Sequence, residues 1–304
     1  MPELPEVETT VNDLNQKVRN RTFVDVWTDF EKMIKKPPGF EKFKRDIQGK
    51  TILKVRRRAK NILFDLSQDM VLLVHQKLTG HFLYGRWKFE GGIWRSELKG
   101  NLAAPINRFI HLVFFLDNGD QIALSDLRKF AKAELWSAKE LEGSKEMREL
   151  GCEPMEEEFT FEKFKECLLS RRGKIKQILM DQNAIAGIGN IYSDEILWKA
   201  KVHPCSRLDS LDDEQLKAIY KSAKSILASA IKLRGTTVLS NVEEYRGVSG
   251  GRGGYQARLK VYRRDGLSCP VCGGKVERLK MNGRSWHFCP KCQKLKGKGC
   301  AKSK

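Results

Sequence analysis

The sequence predicts a multidomain α+β protein: an N-terminal β-sandwich with a flanking N-terminal helix, a helical module, and a C-terminal β-hairpin held between two cysteine pairs. Three observations carry that expectation. Between Thr22 and Trp136 the chain is written in short β-branched and aromatic runs; beyond Glu158 the apolar residues recur at helical spacing; and Cys-x2-Cys occurs twice near the end, at Cys269/Cys272 and Cys289/Cys292. A chain of 304 residues is long enough for two domains with cores of their own.

Taken in order, Val7, Val11, Leu14 and Val18 recur at intervals of four, three and four, the stripe of an amphipathic helix. Pro5 suits its first turn, where a missing N–H costs nothing. The strand candidates are Phe23–Trp27, Thr51–Val55, Ile62–Leu66, Val71–His75, Phe109–Leu116, Gln121–Leu124 and Ala131–Trp136, with Asn118-Gly119 a hairpin signal between two of them. The acidic stretch Glu149–Glu158 reads as a connection. Phe161–Leu169 and Ile175–Asp181 are short helix candidates. A third helix follows Gly187-Ile188-Gly189 with Asn190 as its cap, and a fourth runs from a Ser210/Asp213 capping box to about Arg234, before Gly235. Residues 247–254 hold five glycines, Leu259–Tyr262 reads as a strand, and Lys294–Lys304 is a basic tail.

Lys and Arg number 57 against 38 acidic residues, a net charge of +19 with a pI near 9.6. That surplus favours polyanionic partners, although ribosomal and membrane-surface proteins are as basic. No run of 18 apolar residues and no basic-then-apolar leader is visible, so the chain reads as cytoplasmic with no membrane partner. Cysteines in a reducing compartment are not expected to form a disulfide framework, and Cys152, Cys167, Cys205 and Cys300 read as thiols without a pattern.

Cys269, Cys272, Cys289 and Cys292 are different. Two such knuckles supply four thiolates, the closed tetrahedral set of one structural zinc ion. Between them, Val276–Met281 and Arg284–Phe288 flank Asn282-Gly283, a hairpin with Arg284 at its tip. Such a ribbon can grip nucleic acid, or it can be a purely structural zinc finger. Gly187-Ile188-Gly189-Asn190 lacks the third glycine and the preceding strand of a dinucleotide fingerprint. It reads instead as a tight turn into a helix N-terminus, which suits a phosphate or is plain capping. At the N-terminus, removal of Met1 would leave Pro2 with a free secondary amine, a nucleophile able to form an iminium. Glu3 lies one peptide away, within reach of proton transfer. On its own this segment reads more readily as a terminus stiffened by Pro2 and Pro5, and it is the rest of the chain that turns the reading towards catalysis.

Together these pieces resemble one family. Pro2-Glu3-Leu4-Pro5-Glu6-Val7-Glu8-Thr9, Arg57-Arg58-Ala59-Lys60, Asp181-Gln182 through Gly187-Ile188-Gly189-Asn190-Ile191-Tyr192, Arg234-Gly235-Thr236-Thr237 and the four-cysteine finger with Arg284 are similar, in the same order from Pro2 to about Gln293, to bacterial formamidopyrimidine-DNA glycosylase. Leu4 separates it from the related endonuclease VIII branch, where glycine is usual.

The resemblance implies a helix–two-turn–helix module after the sandwich and a bifunctional base-excision repair enzyme. Such an enzyme excises oxidised purines (8-oxoguanine, formamidopyrimidines) from double-stranded DNA and cleaves abasic sites by β,δ-elimination. It implies that Pro2 attacks C1′, that Glu3 transfers a proton to the sugar, and that Glu6 orders the site. Lys60 would serve the catalytic centre and, with Asn190 and Arg284, hold the phosphates flanking the extruded nucleotide. Leu78, Arg128 and Phe130 stand at the positions that fill the vacated stack. The implied organisation is 1–148 for the catalytic sandwich and 149–158 for a linker; 159–262 for the helical DNA-binding domain with a lesion-capping loop at 240–255; 263–294 for the finger and 295–304 for the tail; the working form is a monomer. The chain departs from the family's usual residues at Asn61 (Tyr), Gln76-Lys77 (Leu-Gly), Leu78 (Met) and Leu127-Arg128-Lys129 (Pro-Arg-Arg), none of them at Pro2 or Glu3. Two other readings stand beside this one: an endonuclease VIII-like enzyme for oxidised pyrimidines, and a DNA-binding module without catalysis.

Overall fold

In the computed structural model, which describes residues 1–237 and 245–295, the chain forms two units: Met1–Arg148 with Ile231–Gln256, and Glu149–Ala230 with Ala257–Lys304. The first unit is built on two sheets. One has the order β1 (Phe23–Thr28), β9 (Ile110–Leu116), β10 (Gln121–Ser125), β6 (His81–Gly85); the other runs β2 (Ile34–Lys36), β11 (Lys132–Ser137), β5 (Met70–His75), β4 (Asn61–Leu66), β3 (Ile52–Arg58). All pairs are antiparallel except β2 with β11.

Alternation explains how the sheets pack. Ile62, Phe64 and Leu66 of β4 and Leu72 and Val74 of β5 meet Phe82, Leu112, Phe114, Ile122 and Leu124 of the facing sheet in one core. Leu63, Val71 and Leu73 point the other way, into a second cluster with Leu141, so these central strands are buried on both faces. Helix α1 (Leu4–Val18) lays Val7, Val11, Leu14 and Val18 on the main core, the stripe that its periodicity predicts. Each of those side chains, at 0–4% exposure, is worth about 1.5–3 kcal/mol on burial. The short helix α2 (Phe40–Ile47) and the hairpin β7 (Trp87–Glu90)–β8 (Ile93–Ser96) were not among the expected elements. The hairpin stacks Trp87 and Trp94 with Leu83, Ile110, Val113 and Ala123. Two short helices, α3 (Ala138–Glu142) and α4 (Lys145–Arg148), follow β11.

The second unit holds α5 (Phe161–Leu169), α6 (Ile175–Met180), α7 (Asn190–Lys199), most of α8 (Asp213–Lys232) and the hairpin β12 (Glu277–Met281)–β13 (Arg284–Phe288). Four sequence expectations change here. The start of α8 is capped by Asp212 and Gln215, each side chain accepting the other's backbone N–H, whereas Ser210 closes a preceding 3-10 turn. Gly189, in an extended conformation, is the N-cap of α7 and Asn190 its first helical residue. Leu259–Tyr262 is no strand, because the N–H groups of Lys260, Val261 and Tyr262 are all taken by the buried Glu195 carboxylate, at 2.9–3.0 Å. Cys152 and Cys167, expected as free thiols, are joined in a disulfide, with Cys152 on an isolated bridge to Ile185, Cys167 on α5 and their Cα atoms 6.5 Å apart, within the range a disulfide spans. Residues 240–244 of the glycine-rich loop, Cys300 and most of the basic tail lie outside the described residues. No described helix is long and apolar enough to cross a membrane.

Candidate functional site

In the first unit the site begins with the start of α1. Glu3 is the N-cap of this helix and forms a capping box with Glu6, whose Oε2 accepts the Glu3 N–H at 2.8 Å. The other oxygen of Glu6, Oε1, accepts the Thr236 N–H at 2.7 Å. One buried carboxylate therefore ties the N-terminus to the Arg234–Thr237 segment. Gly235 is required at that junction: its φ is +77°, and a Cβ there would stand 2.8 Å from Glu6 Oε1. Pro2, Glu3 and Glu6 are all buried, with Met1 exposed above them.

Lys60 is the second residue of a two-residue turn joining β3 to β4, in which Arg58 pairs with Asn61 and Ala59 takes a φ of +54°. Arg57 anchors the turn by donating to Glu8 Oε2 of α1 at 2.6 Å and to Ala59 O at 3.1 Å. Lys60 is itself only 5% exposed. Asn61 faces His75 across the β4–β5 ladder. Burial, with Lys77, Lys60 and Lys132 nearby, pushes the His75 imidazole down to about 3. It is thus neutral at pH 7, and its Nδ1 accepts the Lys77 N–H at 2.9 Å. The Gln76 carboxamide beside it is buried, and neither of its polar atoms has a partner among the described residues.

Leu78, Arg128 and Phe130 lie on two turns of this unit that hydrogen bonds join. Leu78 sits in the turn after β5 and the other two in the turn after β10, where the Arg128 guanidinium lies 4.7 Å from the centre of the exposed Phe130 ring. Thr79 and the fully buried Asp126 join the turns: the Thr79 hydroxyl donates to Asp126, and the Arg128 N–H donates to Thr79 Oγ1 at 3.1 Å.

In the second unit Asn190 and Arg284 are neighbours. Asn190 Nδ2 donates to Ser285 O at 3.0 Å, joining the first turn of α7 to the residue after Arg284, while its Oδ1 is buried and has no partner among the described residues. Arg284 is exposed beside the Asn282-Gly283 turn. Beneath them Lys176 and Asp194 form an ion pair with both side chains fully buried. Asp194 Oδ2 also accepts the backbone N–H and the ring Nδ1–H of His287, each at 3.0 Å. Sequence reasoning missed this network, as it missed Thr79 and Asp126. Its one legible sign is a lysine on the apolar stripe of a short helix.

Cys269, Cys272, Cys289 and Cys292 place their four Sγ atoms within 4.8 Å of one another. The Cys272–Cys289 and Cys269–Cys292 separations are 3.4 and 3.8 Å, close to the ~3.8 Å edge of a tetrahedron with Zn–S bonds of about 2.3 Å. The residues fit one zinc ion, and Val261, Val276 and Trp198 pack around them.

Sandwich, helical module and four-thiolate hairpin define a class. Residues 1–133 match the model of the formamidopyrimidine-DNA glycosylase N-terminal domain, 150–241 that of the formamidopyrimidine-DNA glycosylase H2TH domain, and 266–295 that of the zinc finger found in FPG and IleRS. The chain belongs to the formamidopyrimidine-DNA glycosylase family. It is 38% identical over 296 residues to the formamidopyrimidine-DNA glycosylase of Pelotomaculum thermopropionicum, covering 97% of this chain and 100% of the relative. That of Protochlamydia amoebophila is 37% identical with the same coverage. Among solved structures, wild-type Lactococcus lactis Fpg in complex with DNA containing N7-benzyl-Fapy-dG is 32% identical, with a TM-score of 0.81 over 96% of this chain and 100% of that one. The complex of Lactococcus lactis Fpg with DNA containing an abasic site gives the same identity and TM-score over 96% and 99%.

Proposed function

We propose that this chain is a bifunctional DNA glycosylase and abasic-site lyase of base-excision repair, acting on oxidised purines in double-stranded DNA. The observation that carries the reading is the Glu3–Glu6–Thr236 arrangement. The Glu6 carboxylate accepts the N–H of Glu3, the residue after Pro2, and that of Thr236, which supports a fixed N-terminus at the head of α1. With Met1 removed, the Pro2 nitrogen attacks C1′ of the damaged nucleotide, the glycosidic bond breaks, and the base leaves with a proton. Glu3 supplies a proton to the sugar as its ring opens to the iminium. Loss of the C2′ proton then expels the 3′ phosphate, and a further elimination expels the 5′ phosphate. Glu6 keeps Glu3 and the Thr236 segment in register. Lys60, Asn190 and Arg284 grip the flanking phosphates, contacts that set register without reading sequence. Leu78, Arg128 and Phe130 fill the gap left by the everted nucleotide. Cys269, Cys272, Cys289 and Cys292 would hold one zinc ion, which would tie the base of the hairpin that carries Arg284. The enzyme works as a cytoplasmic monomer.

The test is borohydride trapping on duplex DNA carrying 8-oxoguanine opposite cytosine. Wild type should give a covalent adduct that Pro2→Gly lacks, and Glu3→Gln should bind the duplex without releasing base. Absence of an adduct on this duplex and on an abasic one, from protein shown by mass to lack Met1, would leave a DNA-binding module. Faster release of oxidised pyrimidines than purines across a lesion panel would move the substrate to the endonuclease VIII class.

A further inference from the structure

The three residues assigned to fill the vacated stack come from two separate turns, and a void-filler is useful only if its parts arrive together. A misplacement of about 1 Å in a catalytic assembly can cost about a hundredfold in rate. The two turns are held as one piece by a small polar centre. Thr79 Oγ1 donates to Asp126 Oδ1 and at the same time accepts the Arg128 N–H at 3.1 Å. Asp126 accepts Arg128 N–H with the same oxygen at 3.3 Å and Ala131 N–H with the other at 2.7 Å. Asp126 is 0% and Thr79 6% exposed, so both are sequestered from water.

The Leu78 turn is itself stiff. The Gly80 N–H donates to Gln76 O at 3.1 Å, and a Cβ at Gly80 would meet that oxygen at 2.4 Å. Lys77 stands at φ +55°, a conformation costly for a residue with a side chain, and its N–H is taken by His75 Nδ1. Among the described residues, the hydrogen bonds of the Thr79 and Asp126 side chains run to each other and to the backbone of Arg128 and Ala131.

We infer that Thr79 and Asp126 are positioning residues that lock Leu78, Arg128 and Phe130 into one preassembled void-filling unit, so that base eversion depends on a hydroxyl–carboxylate contact that need not itself touch DNA. This rests on the void-filling role given to those three residues above. Thr79→Val removes the hydroxyl and keeps the shape; Thr79→Ser restores the hydroxyl. Leu78→Ala tests the underlying role.

The measurements are single-turnover excision of 8-oxoguanine at saturating enzyme, affinity for undamaged duplex, and fluorescence of 2-aminopurine placed opposite an abasic analogue. Thr79→Val and Leu78→Ala should each slow excision tenfold or more and change the 2-aminopurine signal in the same sense. Affinity for undamaged duplex should stay within about twofold, and Thr79→Ser should return to the wild-type rate. A wild-type rate in Thr79→Val alongside a slow Leu78→Ala would overturn the positioning role and leave the void-filling role standing. A wild-type rate in Leu78→Ala would remove the void-filling role and this inference with it. Slow excision by Thr79→Val with an unchanged 2-aminopurine signal would also overturn the inference, since the loss would then lie elsewhere. Should Thr79→Val fail to fold, Asp126→Asn is read by the same measurements.

Discussion

Glu6 is a residue whose two carboxylate oxygens have different duties. Oε2 holds the Glu3 N–H and Oε1 holds the Thr236 N–H, and the whole side chain is 1% exposed. The arrangement leaves no room at position 235, so Gly235→Ala is expected to push Glu6 aside as well as to strain its own backbone. Strain at a left-handed position costs about 1–3 kcal/mol. Denaturant unfolding should show a loss of that order, and excision should fall tenfold or more. Wild-type stability and rate in Gly235→Ala would mean that Glu6 is not held by this segment. The Leu-Gly to Gln-Lys departure is a second case at this scale. Lys77 keeps the positive φ that a glycine would adopt freely, and a neutral histidine ring accepts its N–H. The departure was legible in the sequence, but this arrangement was not, because neither the protonation of His75 nor its contact with Lys77 is written in residue order.

At the scale of elements, local patterns carried far. The α1 stripe, the turn at Asn118-Gly119, Phe161–Leu169 and the finger hairpin are all visible as periodicity or turn chemistry, and the structure has each of them. What was missed is instructive. Phe40, Phe43 and Ile47 carry a helical spacing, but it spans only two turns and is diluted by charge. Leu259–Tyr262 has strand-like residues, yet its donors are spent on a carboxylate more than sixty residues away in sequence, which no local pattern announces. The metal-binding element yields the prediction proper to this scale. The hairpin is two strands of five residues with four cysteines at its base positioned to hold one zinc ion, and two such strands are too little to stand without that tie. Chelation of zinc should weaken duplex binding at least tenfold, and readdition of Zn²⁺ should recover it. Unchanged binding by verified zinc-free protein would rule out a grip by Arg284.

For the whole molecule, three histidines bear on acid stability. His75 is lowered to about 3 and His203 to about 4, and His81 is lowered as well, each chiefly by burial. Their unfolded values lie near 6.5. The unfolded chain therefore binds more protons than the folded one between those limits, and stability falls as pH drops through that window. Tm is expected to be steady above about pH 7 and to decline steadily from about 6.5 towards 4. A flat Tm across that range would show that these rings are not held neutral.

The adjacent carboxylates Asp194 and Glu195 of α7 bear on the hairpin from a different direction. One takes hold of His287 inside the hairpin and the other of the backbone at residues 260–262 that leads into the first knuckle. The finger is thus bolted to a single helix at two places, and its aim is a property of that helix as much as of the metal. A graft of residues 266–295 onto another protein would carry the zinc chemistry but leave behind the mount that points Arg284 alongside Asn190. To be a portable part, the finger would have to travel with α7.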